Sequence, residues 1–166
     1  MGSEMKGSQE GEMGLELPED PRERAWMIAR FMREHDRVAV NYNMDLLDVG
    51  PGYARIGMRV TAEMLNAVRL AHGGVTFCLA DFAFAVAANS HGQVAVATSV
   101  SISYPAPARE GDYLVAEAQE AARTKRTGLY QIQVRREDGT LVALFTGNVF
   151  RRDDSVAEWM AKIIHK

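Results

Sequence analysis

The feature that most constrains the fold is an apolar segment in the middle of the chain. Residues 72–89 read HGGVTFCLADFAFAVAAN, in which a histidine and two glycines precede about four turns of apolar helix. A helix that is apolar on nearly every side must be wrapped by other structure on nearly every side. One full charge, Asp81, lies in its middle, and a buried carboxylate either finds a partner or shifts its pKa. Carboxylates in such surroundings are candidate bases or nucleophiles.

Alternation of apolar and polar residues predicts a sheet that could do the wrapping. The turn signal VGPG separates two short runs before the apolar helix, and the second run, residues 53–60, alternates at strand period. Four more strand-like segments follow the helix: residues 94–104, 113–122, 128–136 and 141–150. Asp138-Gly139 indicates a tight hairpin between the last two. We therefore predict an α+β fold in which a curved antiparallel sheet wraps a long central helix.

Additional helices are predicted at both ends of the chain. In PEDPRERAWMIARFMREH, Asp20 can cap a helix, Pro21 suits its first position and Glu23 completes a capping-box pattern. VAEWMAKIIHK carries an apolar stripe at helical spacing near the C-terminus. Residues 1–19 are polar and largely Gly/Ser/Glu, so we expect a disordered tail followed by one domain over residues 20–166.

Composition and motifs argue against several classes of protein. The net charge of −3 provides no overall field for nucleic acid or an anionic membrane, and we expect neither partner. No apolar run is long enough to span a bilayer, and the polar N-terminus does not read as a signal peptide.

A single cysteine, Cys78, rules out an intrachain disulfide and fits the cytoplasm. Its place in the apolar helix predicts a small core residue. The four histidines lie in no metal-ligand spacing, so no metal site is expected.

The start of the apolar helix supplies a second polar feature. Gly73 and Gly74 leave the first-turn N–H groups uncrowded, and such groups can hold an oxyanion or another negative group. Gly73 and Asp81 are eight residues apart, so roughly 12 Å separates them along the helix axis. One small carbonyl group cannot contact both on the same helix. A shared site therefore requires Gly73 from one subunit and Asp81 from the other, which predicts a dimer with two interfacial sites.

These segments resemble the hotdog-fold acyl-CoA thioesterases, specifically the phenylacetic-acid-degradation (PaaI-like) group. The similarity runs from MLNAVRLAHGGVTFCLADFAFAVAANS through VATSVSISYPAPAREGD to RTKRTGLYQIQVRREDGTLVALFTGNVFR, about residues 40–151, and includes the pattern N-x5-HGG-x6-D. The resemblance implies a hotdog fold and hydrolysis of an acyl- or aryl-acyl-CoA to the free acid and CoA. It also implies a homodimer, often paired into a homotetramer, and no cofactor beyond the coenzyme A moiety of the substrate.

The resemblance also implies roles for individual residues. Asp81 matches the catalytic carboxylate, acting either as general base or as nucleophile. Gly73 matches the glycine whose N–H polarises the thioester carbonyl, and Asn66 matches the asparagine that helps place the water or the thioester. His72 matches the motif histidine, which either places substrate or fixes the glycine turn.

Contacts are also predicted for residues other than these four. The resemblance further implies a hydroxyl residue early in the following strand that helps orient water, and within VATSV we favour Thr98 over Ser99. Gly74 is predicted to contact substrate. The basic cluster at the break RTKRT is either a solvated hairpin loop or a site for coenzyme A phosphates. Its members are Arg123, Lys125 and Arg126, with Arg151 and Arg152 as weaker candidates.

Two other functions compete with the thioesterase. A non-catalytic acyl-CoA sensor would use the same pocket, but such proteins typically carry a DNA-binding segment, and the N-terminal helix alone is too little for one. A hotdog hydratase or dehydratase pairs Asp or Glu with His at an acyl β-carbon. The residues around His72 do not match that pattern.

Overall fold

A computed structural model describes residues 15–165 and confirms the predicted wrapping of one helix by one sheet. In this part of the chain the helices are α1 (Pro21–His35), α2 (Arg37–Asn41), α3 (Gly73–Asn89) and α4 (Val156–Ile164). The strands are β1 (Asp45–Gly50), β2 (Tyr53–Arg59), β3 (Gln93–Ser103), β4 (Tyr113–Arg123), β5 (Thr127–Arg136) and β6 (Leu141–Ser155). All pairings are antiparallel, and the strand order is β1-β2-β4-β5-β6-β3.

Close packing of α3 against the inner face of the sheet forms the core. The ring of Phe84 lies 5.5 Å from that of Phe145 and 5.6 Å from that of Tyr130, measured between ring centroids. At Gly147 the backbone of β6 comes so close to α3 that an added Cβ would lie 2.6 Å from the Phe84 ring. The sheet thus packs directly against the helix. This close packing is expected because residues 75–88 are almost entirely apolar and must be shielded from water.

The N-terminal helix begins where it was predicted, but its cap differs in one detail. The Asp20 side chain accepts hydrogen bonds from the N–H groups of Arg22 and Glu23 at 3.0 and 2.8 Å. Within the described residues, the Glu23 side chain makes no reciprocal bond, so the predicted capping box is half formed. The preceding chain is held instead by Arg24, which donates to the carbonyl oxygens of Pro18 and Glu19.

The structure begins inside the segment that was predicted as a tail. Leu15 and Leu17 pack against the core, whereas residues 1–14 lie outside the described residues. At the other end, β6 continues five residues past its predicted end at Phe150, because this charged stretch still pairs with the start of β3. Ser155 and Glu158 then form a complete capping box at the start of α4.

The sheet leaves one stripe of α3 uncovered, and β3 is one of its two edge strands. The residues of α3 that are not fully buried share one face: Gly73, Gly74, Phe77, Cys78, Asp81 and Ala85. Strand β3 pairs with β6 along one edge only, and Val96 and Val100 on it are 42% and 39% exposed. This open face contains Asp81.

Candidate active site

The turn into α3 is fixed by His72. Its Nδ1 accepts a hydrogen bond from the N–H of Gly74 at 2.9 Å, and its backbone N–H donates to the carbonyl oxygen of Met64 at 2.8 Å. This contact is the one expected of a residue that fixes the glycine turn. It also occupies the N–H of Gly74, which was predicted to contact substrate. The N–H of Gly73 donates to no acceptor among residues 15–165 and remains available as an oxyanion donor.

A tyrosine for which the sequence predicted no contact with this turn lies against it. The hydroxyl of Tyr104, just beyond β3, donates to the carbonyl oxygen of Gly73 at 2.9 Å. An added Cβ on Gly73 would lie 3.4 Å from the Tyr104 ring, which is ordinary contact. Tyr104 therefore holds the first peptide of α3 from the side of the strand without closing off the N–H.

The side chain of Asn66 organises the loop that precedes α3. Its Oδ1 accepts from the N–H groups of Val68 and Leu70 at 3.1 and 3.0 Å, and its backbone N–H donates to the Leu70 carbonyl oxygen at 2.7 Å. No acceptor within residues 15–165 binds its Nδ2, so this group can still donate to a ligand. Sequence reasoning identified the residue but not its role in this turn.

Two of the predicted residues line one cleft. Asn66 and Gly73 face a cavity of about 410 Å³ together with Thr76, Tyr104 and Val142, beside a proline-rich segment. The lining is mainly apolar with a few polar groups, the usual make-up of a small-molecule site. Asp81 does not line this cavity, because it lies two turns further along α3.

Asp81 is the only ionisable carboxyl group on α3, and its surroundings disfavour its charged form. Burial raises the pKa of Asp81 above that of an ordinary aspartate, and the negative charge of Asp36 raises it further. Similar causes apply to the neighbouring Cys78: burial and the charge of Asp81 raise the pKa of its thiol, so it stays neutral.

The hydroxyl candidates on β3 both contact Asn148 on the neighbouring strand. Thr98 Oγ1 donates to the Asn148 carbonyl oxygen at 3.2 Å, and Ser99 Oγ accepts from Asn148 Nδ2 at the same distance. Thr98 lies at a bulge where the register between β3 and β6 shifts. Both side chains are exposed on the uncovered strand, within this one protomer.

The basic cluster is largely engaged in ion pairs. Arg123 Nε lies 3.5 Å from Glu120 Oε1, and Arg126 Nη1 lies 3.2 Å from Asp153 Oδ2. Lys125 is exposed at the hairpin between β4 and β5. The described residues contain no group of three or more His, Cys, Asp or Glu side chains that could hold a metal ion. None of the helices in the described part is long and apolar enough to cross a membrane.

Comparison with known proteins assigns the family. The Thioesterase superfamily profile matches residues 69–143. The chain is 41% identical over 128 residues to the acyl-coenzyme A thioesterase PaaI of Escherichia coli K12, an alignment that covers 77% of this chain and 91% of that protein. The structure of E. coli PaaI, from the phenylacetic acid degradation operon, superposes with a TM-score of 0.79 at 40% identity and covers 81% and 97% of the two chains.

Two further structures show the range of the similarity. A point mutant of the phenylacetic acid degradation protein PaaI from Thermus thermophilus is 41% identical with a TM-score of 0.66, covering 68% of this chain and 96% of that one. The protein smu.793 of Streptococcus mutans UA159, solved bound to acetyl CoA, is 26% identical with a TM-score of 0.65, covering 66% and 89%.

The chain thus belongs to the thioesterase superfamily, a class of thioester hydrolases, and has its hotdog fold. Within that class it is a member of the PaaI-like group.

Proposed function

We propose that this protein hydrolyses acyl-CoA thioesters at sites shared between two subunits, with Asp81 of one subunit and Gly73 of the other at each site. The main support for this proposal is the position of Asp81. Its carboxyl group is half-buried and lies on the one stripe of α3 that the sheet of the same protomer leaves uncovered. The E. coli relative is an acyl-coenzyme A thioesterase, and the S. mutans structure holds acetyl CoA, which supports coenzyme A as the carrier.

Each residue has a distinct task in the proposed reaction. The thioester carbonyl oxygen accepts from the N–H of Gly73 at the start of α3, where the helix dipole also favours negative charge. Asn66 Nδ2, on the wall of the same cleft, provides a second donor for the thioester or the water. His72 keeps the glycine turn in place through its bond to Gly74.

Asp81 supplies the base or the nucleophile. As a base it takes a proton from water, and the resulting hydroxide adds to the carbonyl carbon; the tetrahedral oxyanion then collapses and expels the coenzyme A thiolate. As a nucleophile it forms a mixed anhydride and releases the thiolate first, and water then hydrolyses the anhydride. Both routes give the free acid and coenzyme A and need no further cofactor. Thr98, whose side chain is exposed on β3, would orient the water.

A homodimer is part of this proposal. Two copies that add β3 to β3 would pair the strand edge that is open in one protomer and would cover Val100, the exposed valine on its α3 side. The same association would bring two α3 stripes together, so that each Asp81 approaches the partner's Gly73. Pairing of two such dimers would give the tetramer that the resemblance implies.

The experiment is release of free thiol from a panel of short, medium and aryl acyl-CoAs by wild type, Asp81→Ala and Asp81→Asn. We expect turnover by wild type, with the best panel member defining the acyl class, and a loss of about 10²–10⁴-fold in both variants at unchanged dimer mass. Asp81→Asn keeps the shape of the side chain, so its failure cannot be assigned to a cavity. Full activity in either variant contradicts the proposed role, and an inactive wild type contradicts the function.

A further inference from the structure

A second cavity lies at the far end of α3 from Gly73. Its volume is about 630 Å³, and its walls come from α1, the β1–β2 turn, the residues after α3 and the ends of β4 and β6. From Gly73 to Asn89 the helix rises roughly 24 Å, so this groove is separate from the cleft beside Gly73. Three arginines line it: Arg24, Arg123 and Arg151.

Two of these arginines have no carboxylate partner among residues 15–165. Arg151 is only 8% exposed; its Nη1 donates to the Thr124 carbonyl oxygen at 2.7 Å, and its buried Nε has no hydrogen-bond partner there. Arg24 donates only to the carbonyl oxygens of Pro18 and Glu19, at 3.0 and 2.7 Å. A buried cation that meets only neutral oxygens leaves its charge uncompensated, which is costly unless an anion is near.

The carboxylate behind the groove is already shared among several donors. Glu120 Oε2 accepts from the hydroxyl of Tyr130 at 2.6 Å and lies 2.7 Å from Nε2 of His91, while its Oε1 lies 3.5 Å from Arg123. Burial lowers the pKa of His91, as do the charges of Arg123 and Arg151, whereas Glu120 acts in the opposite direction. Glu120 therefore pairs with Arg123 and His91 and does not contact Arg24 or Arg151.

Two acidic side chains also line the groove, and each is paired with an arginine that does not line it. Asp153 Oδ2 lies 3.2 Å from Arg126 Nη1, and Asp154 Oδ1 lies 2.8 Å from Arg152 Nε. Counting these pairs and Glu120, five guanidinium groups face three carboxylates. The excess positive charge lies on the two arginines that bind only carbonyl oxygens.

We propose that this groove binds a phosphate group through the guanidinium groups of Arg24 and Arg151, with Arg123 at its side. Guanidinium groups match phosphate oxygens in geometry and hold them with paired, charge-assisted hydrogen bonds. A phosphate would place beside the guanidinium groups of Arg24 and Arg151 an anion that residues 15–165 do not provide.

Coenzyme A is one source of such a phosphate, and this assignment rests on the proposed function. Asp81 lies roughly 12 Å along α3 from the end of the helix at Asn89. The pantetheine arm between the sulfur and the first phosphate is about as long as four extended residues, roughly 14 Å. A thioester held at Asp81 would therefore place the coenzyme A phosphates within reach of the groove. A free phosphate ion is the other source with the same chemistry.

The imidazole of His91 provides a direct readout of binding by NMR. Inorganic phosphate, adenosine 3′,5′-bisphosphate and coenzyme A are titrated into wild type, Arg24→Gln, Arg151→Gln and Arg22→Gln. Arg22 is the matched control, since it lies one half-turn away on α1 and binds Asp48 outside the groove. We expect phosphate to raise the pKa of His91 in wild type and Arg22→Gln, and to bind at least about tenfold more weakly in Arg24→Gln.

The outcomes separate the two sources. If coenzyme A displaces phosphate, and Arg24→Gln raises KM for the acyl-CoA but not for the same acyl group on N-acetylcysteamine, the phosphate is that of the substrate. If phosphate binds with the same dependence but both KM values are unchanged, the ligand is a free anion. No ligand-dependent change at His91 in wild type, or equal binding by Arg24→Gln and Arg22→Gln, overturns the proposal. Arg24→Gln decides the result even if Arg151→Gln fails to fold. Hydrolysis of the N-acetylcysteamine thioester by wild type tests the thioesterase proposal independently.

Discussion

Asp81 combines two properties that rarely meet at one residue: it lies in an apolar helix, yet on the only face of that helix that is open. Both follow from local sequence, because nearly every neighbouring position that faces the sheet is apolar and Asp81 shares its face with Gly74, Cys78 and Ala85. The carboxyl group is therefore desolvated without being enclosed. This is the situation in which a carboxylate becomes a stronger base than in water while a reactant can still approach it.

The pH profile should report the environment of Asp81. The ionised form is the active one, so kcat/KM falls as the pH drops through its pKa, and the raised pKa places this acid limb above the range of an ordinary aspartate, about 4. Asp36→Asn removes the charge that adds to the shift but keeps the cap of α2, since Asn also accepts from the N–H groups of Val38 and Ala39. We expect the acid limb to move to lower pH in this variant, measured as kcat/KM against pH. A limb that stays in place would rule out coupling between the two carboxyl groups.

The N–H of Gly73 can be removed with little change to the helix. Proline suits the first helical position, and His72 before it has φ −62° and ψ 132°, which proline accepts in its predecessor. Gly73→Pro should lower kcat/KM by about 10²–10³-fold, the usual effect of losing one oxyanion donor. Gly73→Ala keeps the N–H and places its Cβ 3.4 Å from the Tyr104 ring, so it should retain most activity. Equal rates for the two variants in the thiol-release assay would mean that this N–H does not bind the oxyanion.

The secondary structure elements show which parts of the fold a sequence can predict. The strands between residues 93 and 150, the central helix and both terminal helices followed from periodicity and turn residues. Helix α2 was missed because its five residues are too short to show a period, and Asp36 served as an unnoticed cap. The end of β6 was missed because RRDDS reads as a solvated loop; the structure shows its first arginine turned inward.

The candidate site was predictable only in part. Residue type and spacing pointed to Gly73 and Asp81, and the family resemblance to Asn66, but the contacts of Tyr104 and Arg151 depend on loop and strand ends that meet only in three dimensions.

A charge introduced on β3 should prevent dimer formation only when it lies on the side of the strand that faces α3. Val100 pairs with Gly147, whose missing Cβ points at Phe84, so its side chain lies on the α3 side; Val96 pairs with Phe150 on the outer side. In the proposed dimer only the inner side is buried by the partner's helix. Val100→Lys should therefore give a monomer and Val96→Lys a dimer, as measured by light scattering during gel filtration. Dimers of normal affinity from both variants would contradict this arrangement.

Strand β6 packs so closely on α3 that there should be no room for a methyl group at Gly147. Gly147→Ala places a Cβ 2.6 Å from the ring of Phe84, which is 1% exposed and cannot swing away. We expect the free energy of unfolding to fall by about 1–3 kcal/mol in urea denaturation. Gly50→Ala is the matched control, since nothing lies within 4 Å of the position that its added methyl group would take, and it should be close to neutral.

For the whole molecule, the distance between the two functional groups is the decisive quantity. Within one protomer Gly73 and Asp81 are separated by two turns of the same rigid helix, roughly 12 Å. The fold provides no movement that could bring them to one carbonyl group, and it leaves uncovered both the helix stripe and the strand edge that a second copy would need. The proposed activity is therefore a property of the dimer, and the isolated protomer should be inactive.

Mixing two inactive variants tests this claim most directly. Asp81→Ala and Gly73→Pro are co-expressed with different affinity tags, and thiol release is measured for each homodimer and for the purified mixture. In a mixed dimer one site combines an intact Gly73 with the partner's intact Asp81. Because half of the dimers are mixed at random assembly and each has one working site of two, we predict recovery of about a quarter of wild-type activity. A mixture as inactive as its parents would show that each site is built within a single protomer and would contradict the shared site.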